Sequence, residues 1–307
     1  MAKVFKKTSG NGQLTLLLGK RDYVDHVDTV DAVEGVLKVD PAGLDGKKAW
    51  IQMACAFRYG RDDLDVIGLS FRKDIWFQYI QVYPVADHKP TKTAMHDTLM
   101  TKAGDQGIPF TFNIPTNLPC SVTLQPGEED KGKVRAVRFC KDTCRLIIRK
   151  IQFAPDKAGS GVSEETSKNS ISVTASIDKE IYYHGEAIPI KIKAKNDGSK
   201  PVKKIKVTID QTTDVVLYSA DKYTKSVVSE EFSDTLDVGG SLEKTVSVTP
   251  SLAANKEKKG LALDGRLKDE DTNLASSTIL RPGMEKEVLG ILVTYKIKVT
   301  FVAGGGG

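Results

Sequence analysis

Four segments of this chain alternate apolar and polar side chains at every second position, and that period restricts it to one class of fold. Residues 171–177, 190–194, 205–209 and 295–301 each turn one face to a core and the other to water. Half-buried antiparallel strands of this kind are the material of sandwiches. Longer strand-like runs fill the first half, at 48–57 and 66–83, then at 109–114, 120–124 and 135–140, punctuated by Pro115, Pro119 and Pro126. Only 93–103 reads as a helix: Met95, Leu99 and Lys102 or Ala103 recur at helical spacing and form a narrow apolar stripe for packing on a sheet. The expected fold is all-β, with two antiparallel, immunoglobulin-like β-sandwich domains and one short helix in the first.

At 307 residues the chain is long enough for about two domains, each with its own core. The segment 155–170 is polar, contains Gly and Ser and lacks periodicity, so it is the expected hinge between domains at 1–154 and 171–307. A net charge of +5 indicates mild affinity for polyanions or acidic partners and is too small to specify nucleic acid. The N-terminus lacks an apolar signal core and nowhere do 18 apolar residues run together, so neither export nor membrane spanning is expected. Four cysteines, Cys55, Cys120, Cys140 and Cys144, are too few for a disulfide framework, which implies a reduced, cytoplasmic protein.

Enzymatic signatures are missing. The chain has no phosphate-binding G-x-x-x-x-G-K-[ST], no dinucleotide G-x-G-x-x-G after a strand, no G-x-S-x-G and no H-E-x-x-H. His26, His88, His96 and His184 are isolated and read as surface or packing residues. Cys140 and Cys144 lack the second pair that a tetrahedral metal site needs, and read as thiols flanking a hairpin turn. No catalysis, metal or cofactor is expected.

Two charged segments far apart stand out: Gly19-Lys20-Arg21-Asp22-Tyr23-Val24-Asp25-His26, and Leu263-Asp264-Gly265-Arg266-Leu267-Lys268-Asp269-Glu270-Asp271. Arg149 joins them, since it lies in the otherwise interior run 144–151. Together they read as a partly shielded charge network, better suited to switching than to holding a fold, although an ordinary interface salt bridge would use the same residues. The crowded oxygen ligands of 264–271 also resemble a calcium loop, but Arg266 and Lys268 intrude where a cation would be repelled.

These stretches carry a resemblance. Together with Val4-Phe5-Lys6-Lys7, residues 18–28, Cys55-Ala56-Phe57-Arg58-Tyr59-Gly60-Arg61-Asp62-Asp63-Leu64-Asp65-Val66-Ile67-Gly68-Leu69, Asn117-Leu118-Pro119-Cys120-Ser121-Val122-Thr123-Leu124 and Lys179-Glu180-Ile181-Tyr182-Tyr183-His184-Gly185-Glu186, they resemble the arrestins over nearly the whole chain. Arg281-Pro282-Gly283-Met284 points to the cone-photoreceptor branch.

The resemblance implies two cupped sandwiches joined by a hinge, with a lariat segment at about 255–283 packed back on the first domain. It implies a signalling regulator that binds activated, phosphorylated heptahelical receptors, for this branch cone opsins, and blocks G-protein coupling. By motif match, Lys3, Lys6, Lys7, Arg21 and Lys268 would receive receptor phosphates, with Lys102 as one cation where the family has a basic pair. A lysine-guarded sheet edge is the alternative for the first-strand lysines. Asp22, Arg149, Asp264 and Asp271 match an interdomain polar core in which Arg149 would pair with carboxylates of the opposite domain until a phosphate competes for it. Tyr59, Gly60, Arg61, Asp62, Asp63, Leu64, Asp65, Val66, Ile67 and Gly68 match a finger loop that enters the receptor cavity, against the alternative of a plain solvated hairpin. Val4 and Phe5 would pack on Met95 and Leu99.

Three departures qualify this picture. The middle loop at 131–143 is short for the family, and Asp269 replaces a usual histidine. After residue 303 the chain runs into four glycines, where the family carries a last strand and a regulatory tail. Without that tail the acidic side of the polar core outnumbers Arg149, so weaker dependence on receptor phosphorylation is expected. The expected partners are thus an activated, phosphorylated G-protein-coupled receptor at the membrane of a photoreceptor cell, and inositol phosphates through the same lysines. No clathrin or adaptin tail motif is present. A cargo-sorting adaptor of the same fold and a polyanion-binding module are the competing functions.

Overall fold

The computed structural model describes residues 3–59, 71–85, 90–124, 142–153, 159–217, 221–265, 267 and 272–303. The first half runs through β1 (Phe5–Thr8), β2 (Leu14–Leu18), β3 (Asp22–Asp25), β4 (Val33–Val39), a one-turn α1 (Pro41–Leu44), β5 (Ala49–Tyr59), β6 (Phe71–Tyr83), α2 (Ala94–Ala103), β7 (Gly107–Phe112), β8 (Val122–Leu124) and β9 (Arg149–Gln152). The second runs through β10 (Val162–Lys168), β11 (Ile171–Ile177), β12 (Ile188–Asn196), β13 (Val202–Val215), β14 (Asp221–Phe232), β15 (Ser241–Val248), β16 (Ala262–Asp264), the short α3 (Lys286–Leu289) and β17 (Ile291–Ala303).

In the first half an antiparallel sheet of order β1-β2-β4-β7 faces the β5-β6 pair across a core that includes Leu18, Leu37, Ile51, Ile80, Phe110 and Phe112. β4 is buried on both faces. Its odd-numbered residues enter this core, while Val36 turns outward beneath α2, where it meets Leu17, Leu99 and Ala103. Gly35 is required by that packing, because a Cβ there would lie 2.3 Å from the Phe110 ring.

Helix α2 is where the periodicity placed it, with Thr93 as its N-cap. Its buried stripe is His96, Leu99 and Ala103, with Met95 at the margin. His96 replaces the usual Glu or Gln of a capping box: Nδ1 accepts from the Thr93 amide at 3.3 Å, which leaves Nε2 to donate to the Phe110 carbonyl at 2.9 Å. The packing role read for this histidine is thereby given a structural reason.

The second half is a sandwich of β10-β11-β12-β15 on β14-β13-β17. Alternating residues Ile188, Ile190 and Ile192 of β12 meet Ile205, Val207 and Ile209 of β13 between the sheets. Part of the segment read as a hinge is strand: Val162–Lys168 pairs antiparallel with β11. Every residue of β10 is exposed, so this edge strand needs no apolar alternation and its sequence looks like a linker. The one-turn helices α1 and α3 are too short to leave a periodic signal.

The two halves are joined by a shared ladder. β16 pairs antiparallel with β8, and the Gly265 amide extends the pairing to the Ser121 carbonyl at 2.7 Å. Ala262–Asp264 and Gly265 thus pair with the first half. Ala262 and Ala275 are anchored to the second half, where buried Gln211 accepts from the amide and donates to the carbonyl of Ala262, and Tyr295 donates to the Ala275 carbonyl.

Candidate functional site

β1 is an edge strand with three of its four residues exposed, so its side chains project on both faces of a sheet margin. Val4 joins Met95 and Leu99 in the cluster under α2, and Lys6 shares that face by the two-residue period. Phe5 corrects the expectation that it packs on the helix: it lies on the opposite face, against the inner core, because neighbouring strand residues point apart. Lys3 and the Arg21 guanidinium both stack on the Phe5 ring, at 5.4 and 5.7 Å. Arg21 also donates to the Ile147 carbonyl at 2.6 Å. Lys102 is exposed in the last turn of α2. Among the described residues no ion pair occupies Lys3, Lys6, Lys7 or Lys102, so this margin is rich in uncommitted positive charge.

β3 and β9 pair in parallel with Asp22 opposite Arg149. That register brings the guanidinium onto the carboxylate as a two-pronged fork, Nε to Oδ1 at 2.6 Å and Nη2 to Oδ2 at 3.0 Å. Among the described residues the carboxylate that forks Arg149 comes from the same half, and Asp271, expected from the opposite half, lies outside them. The second half reaches Arg149 through the Gly265 carbonyl, which accepts from Nη1 at 2.9 Å. Exposure is uneven within the fork: the Asp22 side chain is 43% exposed and Arg149 only 15%.

Asp264 lies close enough to feel the Arg149 charge, and its carboxylate accepts from the Ser276 amide at 2.9 Å. Burial raises its pKa above the ordinary 3.8, with the Ser276 bonds and the Arg149 charge opposing the shift. Its ionised form is therefore a net cost to the fold, absent below 3.8, where folded and unfolded chains both hold the proton, and complete above the raised pKa. Asp264→Asn, which can still accept from Ser276, is expected to melt higher than the parent at neutral pH, with the gap closing as pH falls. Thermal melts of both proteins across acid and neutral pH check this, and curves that stay parallel would contradict it.

Sequence reasoning missed a deeper cluster at the other end of the β3–β9 ladder. Asp25 is 1% exposed, and its Oδ2 accepts from Lys150 Nζ at 2.5 Å. Its Oδ1 accepts from Arg281 Nη2 at 2.5 Å and from the Val27 amide at 2.8 Å. Lys150 donates further to the Leu118 carbonyl at 2.6 Å, and Arg281 to the Thr116 carbonyl. The signal that could have found it is Lys150 itself, a lysine in the same apolar run that drew attention to Arg149.

Lys268, Asp269 and Asp271, residues 60–68 of the finger loop and the middle loop up to residue 141 lie outside the described residues; Tyr59 ends β5. Three thiols, Cys55, Cys120 and Cys144, are free, and burial pushes that of Cys120 up to about 11.

Residues 14–154 match the family model for the N-terminal domain of arrestin (or S-antigen), and residues 167–307 match that for its C-terminal domain. Arrestin-C of Homo sapiens is 51% identical over 330 residues, which take in 100% of this chain and 85% of the human protein. Arrestin-C of Aquarana catesbeiana is 52% identical over 328 residues, covering 100% of this chain and 84% of its own. Arrestin-C of Mus musculus is 50% identical over 333 residues, with 100% and 87% covered.

Proposed function

Since the chain belongs to the arrestin family, whose members are non-enzymatic regulators of G-protein-coupled receptors, we infer that it binds light-activated, phosphorylated cone opsin and blocks further G-protein coupling. The likeness to Arrestin-C along the full chain favours the cone receptor. The observation that carries the phosphate dependence is the uncommitted cationic margin of β1. Each receptor phosphate brings about −1.5 to −2 charges and strong acceptor oxygens, and exposed lysines on an edge strand are suitable receivers.

The Asp22–Arg149 fork is the proposed trigger. Its carboxylate is the exposed member, so a phosphate arriving from solvent meets Asp22 first and competes with it for the guanidinium behind. Because Arg149 also holds the Gly265 carbonyl, loss of the fork is communicated to the ladder that joins the halves. Lys268 and Asp271 belong to this switch by motif, and residues 59–68 would enter the receptor cavity.

Among the described residues no helix is long and apolar enough to cross a membrane. The proposed location is the photoreceptor cytoplasm, with recruitment to membranes through the receptor. Cone pigment membranes, either dark or photoactivated and phosphorylated, provide the test: the protein should sediment with the second and not the first. Equal binding to both would overturn the assignment. Competition by inositol hexakisphosphate in the same assay reports whether free polyanions use the same lysines.

A further inference from the structure

We propose that Arg281 is a latch holding the two halves of the molecule together through Asp25, distinct from the Asp22–Arg149 fork. Asp25 and Lys150 belong to the same β3–β9 ladder, whereas Arg281 comes from the segment between β16 and β17. Among the described residues the cluster holds two cations and one carboxylate. Withdrawing Arg281 therefore leaves a neutral, hydrogen-bonded Lys150–Asp25 pair, and the first half remains internally satisfied. The joint is separable in a way that a cluster with a lone cation would not be.

The closed joint is also imperfect. Arg281 Nε is buried without a hydrogen-bond partner among the described residues, and a buried unmade bond disfavours the closed state relative to a hydrated open one. Such a contact is poised to release. Its position couples it to the ladder between the halves: Lys150 accepts from the Ser121 amide through its carbonyl, its own amide donates to Ser121 Oγ, and the Ser121 carbonyl takes the Gly265 amide. Asp25, Asp264, Ser276 and Arg281 line one cavity between the halves, so the latch and the acidic residue beside the fork face the same space.

The test is amide hydrogen exchange on the free, full-length Arg281→Met protein, which removes the charge and keeps most of the side-chain bulk. Exchange at Gly265 and in β8 should accelerate by about tenfold or more, with β4 amides unchanged, as for a local opening. Unchanged exchange at Gly265 would overturn the proposal. Equal acceleration in β4 would also overturn it, because it would show a general loss of stability. No receptor is used, so failure to bind opsin would leave the latch standing, and an inert Arg281 would leave the opsin assignment standing.

Discussion

Replacing Asp25 with alanine is expected to destabilise the protein by about 3–5 kcal/mol, the range typical of removing one partner from a buried ion pair. The reason is electrostatic before it is steric. Lys150 and Arg281 would be left side by side in a site where neither reaches water freely, with no carboxylate between them. Val27, a β-branched residue at φ 76, would also lose the acceptor that holds its amide in that unfavourable region. In a thermal melt the loss corresponds to roughly 6–20 °C at the few degrees per kcal/mol common for domains of this size. Arg281→Met, which leaves a neutral pair behind, should cost much less. The order of the two substitutions is the discriminating measurement: similar midpoints for both would show that Asp25 is not the centre of the cluster.

The second large effect concerns binding. Reversing both exposed charges of β1, as Lys6→Glu with Lys7→Glu, is expected to weaken binding to phosphorylated active receptor on the order of a hundredfold, since charge-assisted contacts become repulsive ones. Stability should stay within about 0.5 kcal/mol of the parent, because neither side chain is buried or paired among the described residues. Binding of the parent should fall steeply with added salt while that of the variant changes little. Undiminished binding by the variant at low salt would remove the β1 margin from the phosphate site.

The legible parts of this fold are those in which one face of an element is buried and the other wet. β12, β13 and β17 announce themselves by alternation, and α2 by spacing and its Thr93 cap. β10 is silent because an edge strand exposed on both faces has no reason to alternate. The candidate site divides in the same way. Arg149 was conspicuous as a cation in an apolar run, and Asp22 as part of a charged motif. The deeper cluster was not, since Arg281 lies 256 residues from Asp25 and nothing local to either marks the partner. Only parity within β3, where Asp25 shares the buried face of Tyr23, and the neighbouring Lys150 pointed inward.

The ladder between β8 and β16 also bears on how the chain is made. Val122–Leu124 leaves the ribosome long before Ala262–Asp264, and at about 5–20 residues per second the interval is on the order of ten seconds. Throughout it a nascent first half presents an unpaired strand edge, with Lys150 and Asp25 already able to meet but Arg281 not yet synthesised. Such an edge is a template for mispairing with other chains. Its shortness, at three residues, limits that hazard while the chain is still being made.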